Sequence, residues 1–400
     1  MSSDPQRANK FNLKILLVLS FGHLATDICQ GALPAILPFL KAKLLLSYAM
    51  TGAILLASNL TSSVIQPLFG YLSDRRKKAF LLPLGCLTAG LGLSLLYMPD
   101  QYECILLLVM VSGLGVASYH PEGFKTARLF TGDKMATGLS VFSVGGNMGF
   151  ALGPIVALFI VTHLGLNYLP LMLIFSLIFI SLLLWTWTSL SHVRPVAVST
   201  GIASNGVSRA AYRSVGLIVA TVIMRSWTHF GLMTYLPFYF IDYLKGDPLY
   251  AGTLVSSFLV GGAVGTLAGA PLADRWGYKK YLVLSLALTT VLFPLIFAVQ
   301  GPALFVVLAA VGMTLISSFT VTIVMAQELL PGNVGIASGL MVGFAIGTGG
   351  FGVTVLGIVA DHFGVPMALK SIMLLPLAGL LISLLIRYPL QQSSGDPAPV

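Results

Sequence analysis

Charge is what this chain has least of. Asp, Glu, Lys and Arg make up 9% of its 400 residues, against about 25% in a typical soluble domain. Hydrophobic residues make up 56%, and the mean hydropathy is +0.93. A soluble fold has no interior large enough for that much apolar surface, so the chain is read as a membrane protein. Cysteine is also scarce. Cys29, Cys86 and Cys104 stand apart in apolar runs, with no CxxC pair and no disulfide framework. No metal centre and no cofactor are expected. Walker, GxSxG and HExxH patterns are missing, which argues against an ATP-driven pump and against an enzyme. Net charge is +9, yet no basic stripe interleaves with aromatics, so no nucleic acid partner is expected. The excess is the Lys and Arg that inner loops of a membrane protein collect.

What is present is a succession of long apolar runs. About 20 apolar residues cross the hydrocarbon core as a helix. Breaks at polar, charged, Gly or Pro clusters delimit twelve spans, at 13–40, 47–72, 79–98, 102–128, 135–163, 166–190, 214–242, 249–273, 280–299, 302–328, 333–361 and 366–388. The first run follows Lys10 and Lys14 but continues to Phe39 without an A-x-A site. It is expected as a retained helix rather than a signal peptide, and no lipidation signal is expected at either end. Residues 191–213, rich in Ser and Gly, read as a linker between halves at 1–190 and 214–400. With both termini inside, 17 of the 22 Lys and Arg fall on the inner side. Four fall outside (Lys41, Lys43, Lys245 and Lys370), and Arg225 stays within a helix. That bias sets the expected topology: both termini and the linker in the cytoplasm, in an inner membrane.

The halves echo one another about 200 residues apart. SDRRKK (73–78) matches ADRWGYKK (273–280), GLGVAS (113–118) matches GMTLIS (312–317), and TGLSVF (137–142) matches SGLMVG (338–343). Parallel six-helix repeats are one known transporter architecture. The loop from Gly70 to Arg75, of the form G-x-L-[AS]-D-R, resembles the signature loop of the major facilitator superfamily. The second copy keeps Asp274, Arg275 and Gly277, whereas the first has Lys77 where glycine is expected. GHLATDICQGALPAILPFL (22–40), GLGVASYHPEGFKTARL (113–129), FSVGGNMGFALGP (142–154) and AQELLPGNVGIASGL (326–340) resemble the fosmidomycin-resistance branch of drug exporters. The resemblance implies an all-α membrane protein of two pseudo-symmetric six-helix bundles, with the first, fourth, seventh and tenth helices lining a central cavity. It also implies a gating role for the Asp-Arg loops; the alternative is a plain positive-inside loop.

Ionisable residues inside the membrane are costly and are expected to face a cavity or the bundle interior. They are His23 and Asp27 in span 1, His120 and Glu122 in span 4, and Arg225 and His229 in span 7, with Glu328 ending span 10. His23, Asp27, Gln30 and Pro34 step by 4, 3 and 4 and form one stripe. His23 could instead make a structural bond between helices, and Asp27 a permanent ion pair. Glu122 lies ~9 Å in from Arg128 at 1.5 Å per residue and could pair with Lys125. Asp27 at ~20 Å and Arg225 at ~18 Å reach similar depth and could meet. Gly145, Gly149 and Gly153, followed by Pro154, recur every fourth residue in span 5, as do Gly335, Gly339, Gly343 and Gly347 in span 11. Such stripes let another helix approach closely. By resemblance, the first also looks like the Gly-Pro motif of antiporters.

Together these readings describe a monomeric secondary transporter, in a lipid bilayer, that exports a small drug-like or anionic compound, such as a phosphonate antibiotic, in exchange for protons. Asp27 and Glu122 are the expected proton carriers. His23, Gln30, Tyr119, His120, Arg225 and His229 are expected to meet substrate. An uptake carrier or facilitator for a sugar, organic anion or lipid precursor is the rival on the same fold. A membrane receptor or assembly factor without transport is the rival of another class.

Overall fold

The computed structural model describes residues 11–46, 48–75, 79–191, 208–245 and 248–389, which form helices joined by short connections and include no strand. The first six membrane helices are α1 (Leu13–Leu44), α2 (Ala53–Asp74), α3 (Leu81–Tyr97), α4 (Tyr102–Arg128), α5 (Met135–His163) and α6 (Leu166–Thr186). The second six are α7 (Arg209–Phe238), α8 (Thr253–Trp276), α9 (Tyr278–Phe297), α10 (Pro302–Leu329), α11 (Val334–Phe363) and α12 (Val365–Leu385). Among the described residues, eleven are long and apolar enough to cross a membrane; α3 is a shorter apolar helix. Helix α7 starts five residues before the expected boundary. Ser208 accepts from the Ala211 amide at 3.2 Å and caps it, so 209–213 are helix rather than linker. Residues 192–207 of the expected linker, and Arg76 to Lys78 of the first Asp-Arg loop, lie outside the described residues.

Three apolar clusters organise these helices. One lies within the first six helices and includes Ile28, Ile36, Leu93, Leu96 and Ile160. A second lies within the last six and includes Leu236, Phe258, Phe293 and Leu308. The third runs through both sets, with Leu16, Phe124 and Phe142 joined to Val215, Leu286, Val324 and Met341. The bundles therefore share a core at the end where α1 begins and keep separate cores at the other.

The glycine stripes explain how closely the helices approach. A Cβ at Gly145 would stand 1.9 Å from the Ser20 carbonyl, and one at Gly153 would stand 2.5 Å from that of Ile28. Helix α5, with Pro154 in its interior, thus lies directly on α1 within the first bundle. The second stripe works across the bundles. A Cβ at Gly335 would meet the Gly70 carbonyl at 2.5 Å, and one at Gly343 the Gln66 Cβ at 2.4 Å. Both α2 and α11 carry a π-helical stretch here, at Leu60–Val64 and Gly339–Ala345.

Candidate functional site

The buried polar groups of the first bundle form one chain of hydrogen bonds. His120 Nε2 lies 3.0 Å from Asp27 Oδ1, and His23 Nε2 lies 3.3 Å from Asp27 Oδ2. His23 Nδ1 is 3.0 Å from the Phe142 carbonyl, and His120 Nδ1 is 3.1 Å from Gln66 Nε2, which also donates to the Ser62 carbonyl at 2.7 Å. All four side-chain residues are at most 9% exposed. Partners set the polarity. A carbonyl only accepts, so His23 carries its proton on Nδ1, and in the neutral ring Nε2 is bare. That bare nitrogen faces a carboxylate oxygen, and two acceptors face each other favourably only with a proton between them. On the other side, Gln66 donates to His120 Nδ1, so Nε2–H of His120 donates to Asp27. Ligand atoms of His23, Asp27 and His120 lie within 4.8 Å of one another, close enough for a small cation. A metal-bound imidazole, though, donates its outer N–H, whereas His120 Nδ1 faces a donor. The polarity suits a proton.

In the second bundle, no acidic side chain among the described residues pairs with Arg225. Arg225 on α7 is 6% exposed. Its Nη1 lies 3.4 Å from Thr322 Oγ1 and 3.5 Å from Ser318 Oγ, with the guanidinium carbon 5.5 Å from the Phe319 ring centre on α10. The ion pair with Asp27 that depth alone allows does not form. Asp27 is satisfied within its own bundle by the two histidines, and Arg225 turns to the α10 hydroxyls. His229, one turn on, packs its ring against Phe258 at 5.4 Å.

At the end where the bundles share a core, each bundle caps a helix of the other. Asp74, closing α2, accepts from the Gly335 and Ile336 amides that open α11, at 2.8 and 3.0 Å. Asp274, near the end of α8, accepts from the Ala136 and Thr137 amides that open α5, both at 2.9 Å, and from the Thr137 hydroxyl at 2.6 Å. Tyr278 donates to Asp274 as well, at 3.0 Å. Helix starts carry orphan N–H groups and a positive dipole end, so a two-oxygen carboxylate is the matching partner. Arg128 on α4 also donates to Gln327 on α10 at 3.1 Å, and Tyr388 donates to Glu328. Arg75 stacks on Tyr71 at 4.2 Å, and Arg275 is exposed in the last turn of α8.

Several expected site residues land elsewhere. Tyr119 is fully buried, and its hydroxyl donates to the Leu19 carbonyl at 2.9 Å, so it ties α4 to α1 in the core. His23 and His120 serve Asp27. Glu122 is 2% exposed, with Oε1 4.0 Å from Lys125 and Oε2 unpartnered; it sits beside Ser73 at the shared end, because Lys125 also donates to Ser73. Gln30 is half-buried with Nε2 3.3 Å from Ser62 Oγ, and Pro34 is exposed, so the α1 stripe passes from dry at His23 to open at Pro34. Gln66 and Gly146 went unnoticed in the sequence. A Cβ at Gly146 would stand 2.4 Å from His23 Nε2 and 2.7 Å from Asp27 Oδ2, so its bareness makes room for the pair. Gln66 is visible in the sequence as an amide amid an apolar run, like Gln30 in span 1.

Comparison with known proteins agrees with this architecture. The family model described as Major Facilitator Superfamily matches residues 19–247 and 218–399. The chain is 32% identical over 380 residues to the uncharacterized MFS-type transporter YfnC of Bacillus subtilis (strain 168), covering 93% of this chain and 92% of that protein. It is 32% identical over 372 residues to the fosmidomycin resistance protein of Escherichia coli (strain K12), covering 92% and 91%. Among solved structures, the E. coli fucose:proton symporter FucP aligns with a TM-score of 0.72 at 15% identity, over 93% of this chain and 98% of that one. FucP in the outward conformation aligns equally well. The chain belongs to the Major Facilitator Superfamily.

Proposed function

We propose that this transporter exports a small anionic or drug-like compound, such as a phosphonate, in exchange for protons. The observation that carries the proton reading is the His23–Asp27 contact, where two acceptors meet at 3.3 Å with the other imidazole nitrogen already committed to a carbonyl. A proton resident there is the simplest way to satisfy a buried carboxylate. Glu122 offers a second place for one, since its Oε2 has no partner.

Arg225 supports an anionic cargo. A buried guanidinium with only two long hydroxyl contacts keeps most of its donors for a ligand, and its planar fork matches carboxylate or phosphonate. The relative named for fosmidomycin resistance supports export. With both termini in the cytoplasm, the capped end is the inner gate. The chain then rests open to the outside, where Pro34 is exposed and the α1 stripe can take up a proton.

The test is transport in proteoliposomes with an imposed pH gradient, in both polarities. Wild type is expected to move a phosphonate uphill, and Asp27→Asn to abolish uphill movement while binding persists. Arg225→Lys keeps the charge but loses the fork, so it should weaken anion transport selectively. If Asp27→Asn and Glu122→Gln each still build a gradient, the coupling reading is wrong. If Arg225→Lys and Arg225→Ala both transport like wild type, the anion reading is wrong.

A further inference from the structure

We infer that Gln66 is the positioning residue that links protonation of the buried network to the inner gate. The inference rests on the proton-coupled reading above. Gln66 has two neighbours that belong to different processes. Its amide nitrogen donates to His120 Nδ1 at 3.1 Å and to the Ser62 carbonyl at 2.7 Å. The rest of the residue is pressed on by α11: a Cβ at Gly343 would stand 2.4 Å from Gln66 Cβ and 2.8 Å from Cδ, and one at Gly339 2.7 Å from the Gln66 carbonyl. Two turns along α2, Asp74 caps the start of that same α11.

While α2 and α11 touch, the bare face of Gly343 packs against Gln66 Cβ and Cδ and pins the side chain over the Ser62 carbonyl of its own helix, where the amide cannot reverse. Reversal would set Oε1 against the Ser62 carbonyl, two acceptors with nothing to share. Nor can His120 accept a second proton at Nδ1, because an N–H there would face the amide N–H. In this arrangement the one ring proton of His120 sits on Nε2 toward Asp27, and Gln66 Oε1 is left buried without a partner among the described residues. Once α11 withdraws, the side chain is no longer pinned and can swing clear of the Ser62 carbonyl and turn. Oε1 then accepts from Nδ1–H of a protonated His120, and the orphan oxygen is satisfied. A second proton in the network and a closed α2–α11 contact oppose each other. Linkage works both ways, so a proton entering from the open side loosens the inner gate, as exchange requires. The groups facing His120 are Asp27 and His23 from α1, with Cys29, Cys86 and Tyr119 within electrostatic reach of Asp27. Glu122 and Lys125 follow on α4 itself, and Asp74 lies two turns along α2. Neither α5 nor the α11 glycine stripe brings an ionisable group to this level.

The test uses the full chain in nanodiscs, with the three cysteines replaced and spin labels on Leu68→Cys and Gly332→Cys, at the gate ends of α2 and α11. In wild type, the gate distance should lengthen as pH falls. Gln66→Met keeps the shape without the amide and should flatten that pH dependence. Gln66→Glu accepts from Nδ1–H, so it should move the midpoint up by at least one pH unit, a tenfold rise in proton affinity. If both variants keep the wild-type midpoint while wild type transports uphill on a pH gradient, the role of Gln66 is refuted and the proton reading survives. If wild type shows neither a pH-dependent distance nor pH-driven transport, the proton reading fails first.

Discussion

If the paired caps form the proposed inner gate, replacing Asp74 by Asn should open it, by an amount that the lost contacts set. Asp74 accepts two backbone N–H groups at the start of α11. Asn offers one acceptor oxygen, sets an NH2 against the other N–H, and removes the charge that the helix dipole attracts. A charge-assisted hydrogen bond contributes about 1.5–3 kcal/mol, and an anion at a helix start ~0.3–2 kcal/mol. These overlap, so the closed gate should lose about 2–3 kcal/mol, a roughly 30- to 150-fold drop in the closed-to-open ratio. Asp274→Asn should cost at least as much, because Asp274 also accepts from the Thr137 and Tyr278 hydroxyls. The two sites share no residue, so the double substitution should be close to additive. Distances between labels at 68 and 332, and protection of the gate residues against an inside-added thiol reagent, read the change. A double variant with a wild-type distance distribution and wild-type transport would refute the paired-cap account of the gate.

Further expectations follow from particular contacts. Gly146→Ala forces a Cβ into the His23–Asp27 pair. An overpacked site costs ~1–3 kcal/mol of stability, and the displaced pair should lower pH-driven transport while the protein still folds, as judged by its elution profile. Tyr119→Phe removes one hydrogen bond to Leu19. It should cost about 1 kcal/mol of stability and leave the substrate profile unchanged; an altered profile would put Tyr119 back in the binding site. For topology, a cysteine at position 200 should react with an impermeant reagent only from the inside, and one at position 246 only from the outside. The reverse pattern would invert the gate assignment.

Much of this molecule is legible in its sequence because a bilayer imposes strict accounting. Apolar runs of spanning length mark the helices, and the repeated Asp-Arg loops mark where each bundle caps a helix of the other. Each charge left in mid-helix, Asp27 and Arg225 above all, marks a place where a partner or cavity must exist. Spacing along one helix also fixes which residues share a face, which is why the glycine stripes at 145–153 and 335–347 could be recognised. Spacing does not say what that face meets. The two stripes look alike, yet one seats α5 on α1 inside a bundle and the other seats α11 on α2 across the gate. Equal depth made Asp27 and Arg225 plausible partners, but depth is one coordinate of three. The packing of α4 on α1 delivered His120 to Asp27 first, and the packing of α10 on α7 gave Arg225 its hydroxyls. The tertiary structure alone decided the polarity of the buried network, because a histidine's tautomer is set by whichever carbonyl or amide its outer nitrogen happens to face.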